Sequence, residues 1–193
     1  MIRARPLDDY TAPDLEQLIG IAKDSFDNRN CWIIHVPARL CLAADHTDYW
    51  EAFTPELVTF ASDSAVMRAV ISPRTDSMIG LFNVGDFEDC EFDLNENMPP
   101  RVVGSSSWLE WLDACGTPAA HWSNYVRGSV HHAQMHHDVK VGFDLLIDSN
   151  IPPASGASSS SALATCASIA IRLVNNLPLE QRSLVEETAN AEW

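Results

Sequence analysis

Val139-Lys140-Val141-Gly142-Phe143-Asp144-Leu145-Leu146-Ile147-Asp148-Ser149-Asn150-Ile151-Pro152-Pro153-Ala154-Ser155-Gly156-Ala157-Ser158-Ser159-Ser160-Ser161-Ala162-Leu163 changes character twice. From Val139 to Ile147 the apolar residues Val139, Val141, Phe143, Leu145 and Ile147 alternate with Lys140, Gly142 and Asp144. A period of two is expected of a strand with one face buried. Asp148 to Ser161 is then a loop mainly of Pro, Gly, Ala and Ser, and Ala162 to Val174 reads as a helix of small and aliphatic residues. Strand, small-residue loop and helix entrance follow in that order. Small side chains let a backbone approach a ligand closely, and free N–H groups at a helix start favour a bound phosphate by about 0.3–1 kcal/mol per charge. Serine hydroxyls can also ligate a hard cation such as Mg²⁺. Composition alone would make the segment a flexible serine-rich turn. No Gly-Lys-Ser or Gly-Lys-Thr completes a Walker pattern.

Outward from this segment, Thr11 and Pro13 open an amphipathic helix with Leu15, Leu18, Ile19, Ala22 and Phe26 on one stripe. Strand-like runs follow at Trp32 to Val36, Leu40 to Ala43, Val66 to Ile71, Met78 to Phe82 and Glu91 to Leu94, with Pro37 interrupting the first two. Helical spacing returns at Trp108, Leu109, Leu112 and Cys115, and again at Trp122, Tyr125, Val126 and Val130. A last helical segment runs from Pro178 through Leu184, Val185, Thr188 and Ala189 to Trp193 without a cap, as expected of a truncated element. Early strands mixed with helices indicate an α+β domain spanning residues 1–193.

Twelve Lys and Arg against 27 Asp and Glu give a formal charge of −15, which disfavours nucleic acid and acidic membranes as partners. Attraction of a phosphorylated ligand must then be local, from backbone amides, a few Arg residues and a divalent cation. Cys31, Cys41, Cys90, Cys115 and Cys166 form no Cys-x-x-Cys pair and read as reduced, buried thiols. With no apolar leader and no stretch long enough to span a bilayer, the expectation is a cytoplasmic protein.

Pro37-Ala38-Arg39-Leu40-Cys41-Leu42-Ala43-Ala44-Asp45-His46-Thr47-Asp48-Tyr49 sets one Arg, one His and two Asp beside a short strand. Carboxylates and an imidazole so closely spaced can hydrogen-bond adjacent hydroxyls of a sugar. Arg39 could stabilise negative charge on a transferring phosphoryl group. A surface ion pair of Arg39 with Asp48, an ordinary turn over Asp45 to Asp48, or metal ligation are the alternatives.

The segment resembles the galactokinase signature Gly-Arg-x-Asn-Leu-Ile-Gly-Glu-His-Thr-Asp-Tyr, matched at Arg39, Leu42, His46, Thr47, Asp48 and Tyr49, with Asp45 for Glu. Cys41, Ala44, Ala38 and Trp50 depart from it, and Trp50 bears on the shape of the sugar pocket. The serine loop is similar to the second motif of the GHMP kinases, Pro-x-Gly-x-Gly-Leu-Ser-Ser-Ser-Ala, through Pro152, Gly156, Ser158, Ser159 and Ser160, and departs at Ala154, Ala157 and Ser161. Trp122-Ser123-Asn124-Tyr125-Val126-Arg127-Gly128 and Ser72-Pro73-Arg74 match further galactokinase segments. The chain is thereby identified as a galactokinase-like member of the GHMP kinases, covering its N-terminal portion.

That resemblance implies a GHMP N-terminal α+β domain, a ribosomal-protein-type sheet containing a βαβ unit with helices on one face, and a C-terminal domain absent from these 193 residues. It implies transfer of the ATP γ-phosphoryl group to the C1 hydroxyl of galactose or a related monosaccharide, with ATP and Mg²⁺ as cofactors. Arg39 is the implied catalytic residue, and Asp45, His46, Asp48 and Tyr49 the sugar-binding ones. Pro152, Ser155, Gly156, Ser158, Ser159, Ser160 and Trp122 would bind ATP, with Ser159 and Glu192 on Mg²⁺. The family's catalytic Asp lies beyond Trp193, so the fragment alone is expected to be inactive, with the missing part a continuation or a separate chain. A non-catalytic sugar- and ATP-binding sensor is the competing reading. His131, His132, His136 and His137 read as a solvated helix end rather than a metal site, and Asp86, Glu88, Asp89, Glu91 and Asp93 as a solvated face.

Overall fold

The computed structural model describes residues 14–26, 30–43, 58–96, 99–102, 104–115, 121–153 and 156–191. In chain order the elements are α1 (Leu15–Ser25), β1 (Trp32–Ala43), β2 (Val58–Pro73), β3 (Met78–Asn83), β4 (Cys90–Asp93), α2 (Ser106–Cys115), α3 (Ser123–His136), β5 (Phe143–Ser149), α4 (Ser159–Val174) and α5 (Gln181–Ala191). The strands form a five-stranded sheet in the order β1-β2-β5-β3-β4. β2 is antiparallel to both β1 and β5, β3 is parallel to β5, and β4 is antiparallel to β3.

Two expected strands prove to be one. β1 runs unbroken through Pro37, because it sits at the sheet's edge, where proline's missing N–H need cost no ladder bond. The interruption survives as a register shift between Pro37 and Arg39: Pro37 pairs with Val66 and Arg39 with Ala61. At β5 the alternation begins too early. Residues 139–142 precede the strand, and Asn175 takes the place of a ladder there, its Oδ1 accepting from the N–H groups of Lys140 and Val141 at 2.9 Å each.

The α+β class holds, but the helices are not confined to one face. Val126 and Val130 of α3, with Leu163, Ala167 and Ile171 of α4, pack in one core with Ile71, Leu81, Leu145 and Ile147. Leu18, Ala22 and Phe26, from α1 and its C-terminal cap, cover Val70 and Leu146 on the opposite face. β5 is consequently buried on both sides from Phe143 to Ile147, including Asp144, whose charge is met by Arg74 Nη1 at 2.9 Å. α1 is started by Asp14, whose carboxylate accepts from the N–H groups of Glu16 and Gln17. Thr11 and Pro13 lie outside the described residues.

α5 rests on α3 and α4. None of the five cysteines forms a disulfide, but only Cys166 is a buried thiol, pushed up to about 12 by complete burial; Cys31 and Cys115 are exposed. Among the described residues no helix is long and apolar enough to cross a membrane.

Candidate functional site

β1 and β5 point the same way, since each is antiparallel to the β2 between them. Their C-terminal ends therefore leave the sheet at one edge, two strand spacings or about 10 Å apart laterally. From β1 the chain continues into the segment that holds Asp45 to Tyr49; from β5 it continues into the serine loop. β3 is parallel to β5 and ends at that edge too.

The helices are oriented to match. At the start of α3, Trp122 Nε1 donates to the Glu88 carbonyl at 2.9 Å in the connection after β3, while near its end Gln134 reaches the Leu94 carbonyl beyond β4. Ser129 meets the Ala164 carbonyl of α4, and residues near the far ends of both helices, His137 and Arg172, converge on Glu187. α3 and α4 thus begin at the same edge, and α5 runs back so that Ala191 lies against Gly128, the sixth residue of α3. The C-terminal ends of β1 and β5 and the starts of α3 and α4 lie at one end of the sheet.

The serine loop is fastened at both ends. Asn150 donates its N–H to the Val66 carbonyl, accepts the Val66 N–H on Oδ1 at 2.8 Å and donates Nδ2 to the Ser64 carbonyl. Ala157 is buried in the core cluster that contains Leu163 and Ala38. Its two neighbours are left-handed: Gly156 has φ +74° and Ser158 φ +60°, ψ +41°. Glycine adopts that region freely, whereas a serine there carries a cost of about 1–2 kcal/mol. Ser158 stands at the N-cap of α4 without capping it, so the first-turn amides have no side-chain partner from that residue. Half-buried Ser159 and Ser160 start the helix beside them. The donor set, amides and hydroxyls at an uncapped helix start with open space in front of Gly156, suits a polyphosphate and a hard cation held largely by phosphate oxygens.

Of the expected residues, Arg39 is exposed on β1 just past the bulge, and Pro152 is exposed in the loop. Trp122 is half-buried, its ring 6.3 Å from Phe87 and 6.0 Å from His121. Asp45, His46, Asp48, Tyr49, Ala154, Ser155 and Glu192 lie outside the described residues. A hollow of about 360 Å³ lined by Phe26, Phe82, Asp89 and Asp144 lies by α1 on the sheet's other face and contains none of them.

The histidines are not a solvated end. Burial, with Arg127 adding to it, lowers His131 to about 4; His132 buries Nδ1, and His137 Nε2 lies 3.1 Å from Glu187 Oε1. His136 alone of the four is exposed. Among the described residues no group of acidic, His or Cys side chains could hold a metal. Within the acidic stretch, Glu91 pairs with Arg74 at 3.1 Å and Asp93 accepts from the Asn95 N–H, both at the surface.

Residues 124–193 match the model of the GHMP kinases N terminal domain. Over 179 residues, 91% of this chain and 40% of the relative, the sequence is 30% identical to a galactokinase of Chloroflexus aurantiacus; a galactokinase of Chloroflexus aggregans is 31% identical over 160 residues, 81% of this chain and 35% of the relative. The chain is thus similar to galactokinases, and its C-terminal third to the GHMP kinases. The domain's fold is similar to the crystal structure of Lactococcus lactis galactokinase complexed with galactose, with TM-score 0.73, 24% identity, and coverage of 92% of this chain and 42% of that one. It is also similar to Methanococcus jannaschii mevalonate kinase, with TM-score 0.60, 18% identity, and coverage of 86% and 47%. The galactokinase-like chain spans about two fifths of the length of the curated relatives it matches.

Reasoning from sequence missed three features of this galactokinase-like domain: Asn150, Gly128 and the junction of Arg172, Glu187 and His137. The first two carry a local signal, an Asn at a strand end and a glycine within a helix. The third joins residues 15 and 50 apart and has none.

Proposed function

We propose that this chain is the nucleotide- and sugar-binding part of an ATP-dependent sugar 1-kinase, acting on galactose or a monosaccharide of similar hydroxyl pattern. The carrying observation is the shared end of the sheet: β1 and β5 exit in the same direction, α4 starts beyond β5 without a side-chain cap, and Trp122 is tied to the connection after the parallel strand β3. That arrangement supports a nucleotide on the Trp122 side and a sugar on the β1 side.

In this reading the amides opening α4, with Ser158 and Ser160, cradle phosphate, and Pro152, Ser155 and Gly156 shape the loop around it. Trp122 lies along the base. Ser159 and Glu192 supply oxygens to Mg²⁺. Bound Mg²⁺·ATP supplies the transferable phosphoryl group and neutralises its charge. Asp45, His46, Asp48 and Tyr49 hold the sugar hydroxyls, and Arg39 stabilises charge developing on the transferred group.

Equilibrium binding of ATP, with and without Mg²⁺, should show Mg²⁺-enhanced affinity in the wild type and a loss of that enhancement in Ser159→Ala. ATP consumption across galactose, arabinose and fucose then identifies the substrate. Binding without turnover in a chain extended through the family's catalytic Asp would make the protein a sensor, and absence of ATP binding would sink both readings.

A further inference from the structure

The hollow behind α1 stands on the face of the sheet turned away from α3 and α4, and none of the residues assigned to nucleotide or sugar lines it. Its walls are apolar: Phe26 and Phe82, with ring centroids 6.1 Å apart, stand over Leu146. Its floor is not. Asp144 projects from β5 at 3% exposure, and it fits because Gly80, its neighbour on β3, has no side chain: a Cβ there would stand 2.5 Å from Asp144 Oδ1. Beside it on β2, in register with Asp144 and facing the same way as Val70, Ser72 is fully buried, and its Oγ has no hydrogen-bond partner among the described residues. Burying an ion pair gains a fold little over apolar residues of the same volume. Charge and an unmet hydroxyl at the base of an apolar hollow of about 360 Å³ therefore point to a ligand.

Electrostatics decides which kind. Arg74, the only cation among the described lining residues, is already committed: Nε and Nη2 donate to Asp76 at 2.7 and 2.9 Å, and Nη1 lies 2.9 Å from Asp144 and 3.1 Å from Glu91. Three carboxylates answer one guanidinium, so an incoming anion meets net negative charge. Asp89 adds a further carboxylate at the exposed mouth; its Oδ1 accepts the Asn83 N–H at 3.2 Å, and its Oδ2 has no partner among the described residues. The last turn of α1, ending at Ser25 and its cap Phe26, presents the negative end of the helix dipole to the same space. We propose that the hollow binds an organic cation with an apolar body, an aryl- or alkylammonium whose hydrocarbon lies against Phe26, Phe82 and Leu146 and whose ammonium is held by Asp89 and Asp144. The site is separate from the proposed kinase function, and either can fail without the other.

Phenethylammonium chloride titrated into this chain, followed by proton–nitrogen correlation spectra, is the test. Saturable shifts are expected in the side-chain amide of Asn83 and in the indole N–H of Trp122, which donates to the carbonyl of Glu88 next to Asp89. Phenethyl alcohol, the same body without the charge, should bind at least about tenfold more weakly, and the anion hydrocinnamate should not bind. Asp89→Asn keeps an acceptor for the Asn83 N–H and should cost about tenfold in affinity for the ammonium while leaving that for the alcohol unchanged. Ser25→Phe, on the exposed flank of α1, fills the hollow and should abolish binding of both. Equal affinity for ammonium and alcohol, an unaltered Kd in Asp89→Asn, full binding in Ser25→Phe, or undisturbed Asn83 and Trp122 signals at the highest soluble probe concentration each overturn the proposal. If Ser25→Phe does not fold, Asp89→Asn decides alone. A chain that binds the ammonium but not ATP removes the proposed function and leaves this inference standing.

Discussion

His131 shows how a single side chain here departs from what its composition suggests. It lies on α3, its ring edge-on to Trp111 at 5.5 Å between centroids, and burial, reinforced by Arg127, holds its pKa at about 4 against an ordinary 6.5. The folded state therefore prefers the neutral ring, and the unfolded state binds the extra proton first as pH falls. The stabilisation is complete above pH 6.5 and is lost progressively down to pH 4. An acid branch of about 1–3 kcal/mol should appear in urea denaturation over that window and flatten in His131→Phe. Four histidines within seven residues looked like a hydrated tail because a sequence shows spacing but not what covers it. Ser158 is the same lesson in backbone form, since nothing in a run of four serines announces which one turns left-handed.

At the scale of elements, the presence of each strand and helix is legible locally, while their bounds, as at Pro37 and at residues 139–142, and what covers them depend on neighbours. The strand, loop and helix between Phe143 and Val174 are continuous in sequence and carry their own periodicity, so the pattern located them. α1 was foreseen as amphipathic, but the face of the sheet it covers was not, because β5 alternates as though only its odd positions were inside. The three-helix junction was likewise invisible. Burial alone would raise the Glu187 carboxyl, yet hydrogen bonds from Arg172 and His137 outweigh it and hold the group below its ordinary range, so its contribution is present above that range and fades as pH falls through it. Glu187→Ala strands the guanidinium of Arg172 in the helix layer and should cost about 3 kcal/mol or more, read as a lower thermal midpoint. Replacing both residues by apolar side chains of similar volume should restore most of it.

For the molecule as a whole, the formal charge of −15 sets a field that opposes the approach of ATP, while the groups proposed to bind it are dipoles and hydroxyls of short reach. Salt screens the long-range repulsion more than the contacts inside a half-buried loop. Association of ATP measured by stopped flow should consequently quicken as KCl rises from about 20 to 200 mM, the reverse of a basic nucleic-acid binder. Architecture was the most legible level, because two motifs in fixed order constrain the connections between them. The sugar pocket was the least, since Trp50 is a substitution whose effect depends on packing that residue order does not express.

Asn150 acts as a rivet: three hydrogen bonds pin it to Ser64 and Val66 before the chain enters the loop. If the proposed nucleotide binding shifts the start of α4, the shift reaches the β-sheet only past these three bonds. The amide proton of Val66 should exchange with deuterium slowly and at the same rate whether or not ATP is present. Asn150→Ala should accelerate that exchange at least tenfold and let the sheet feel the ligand.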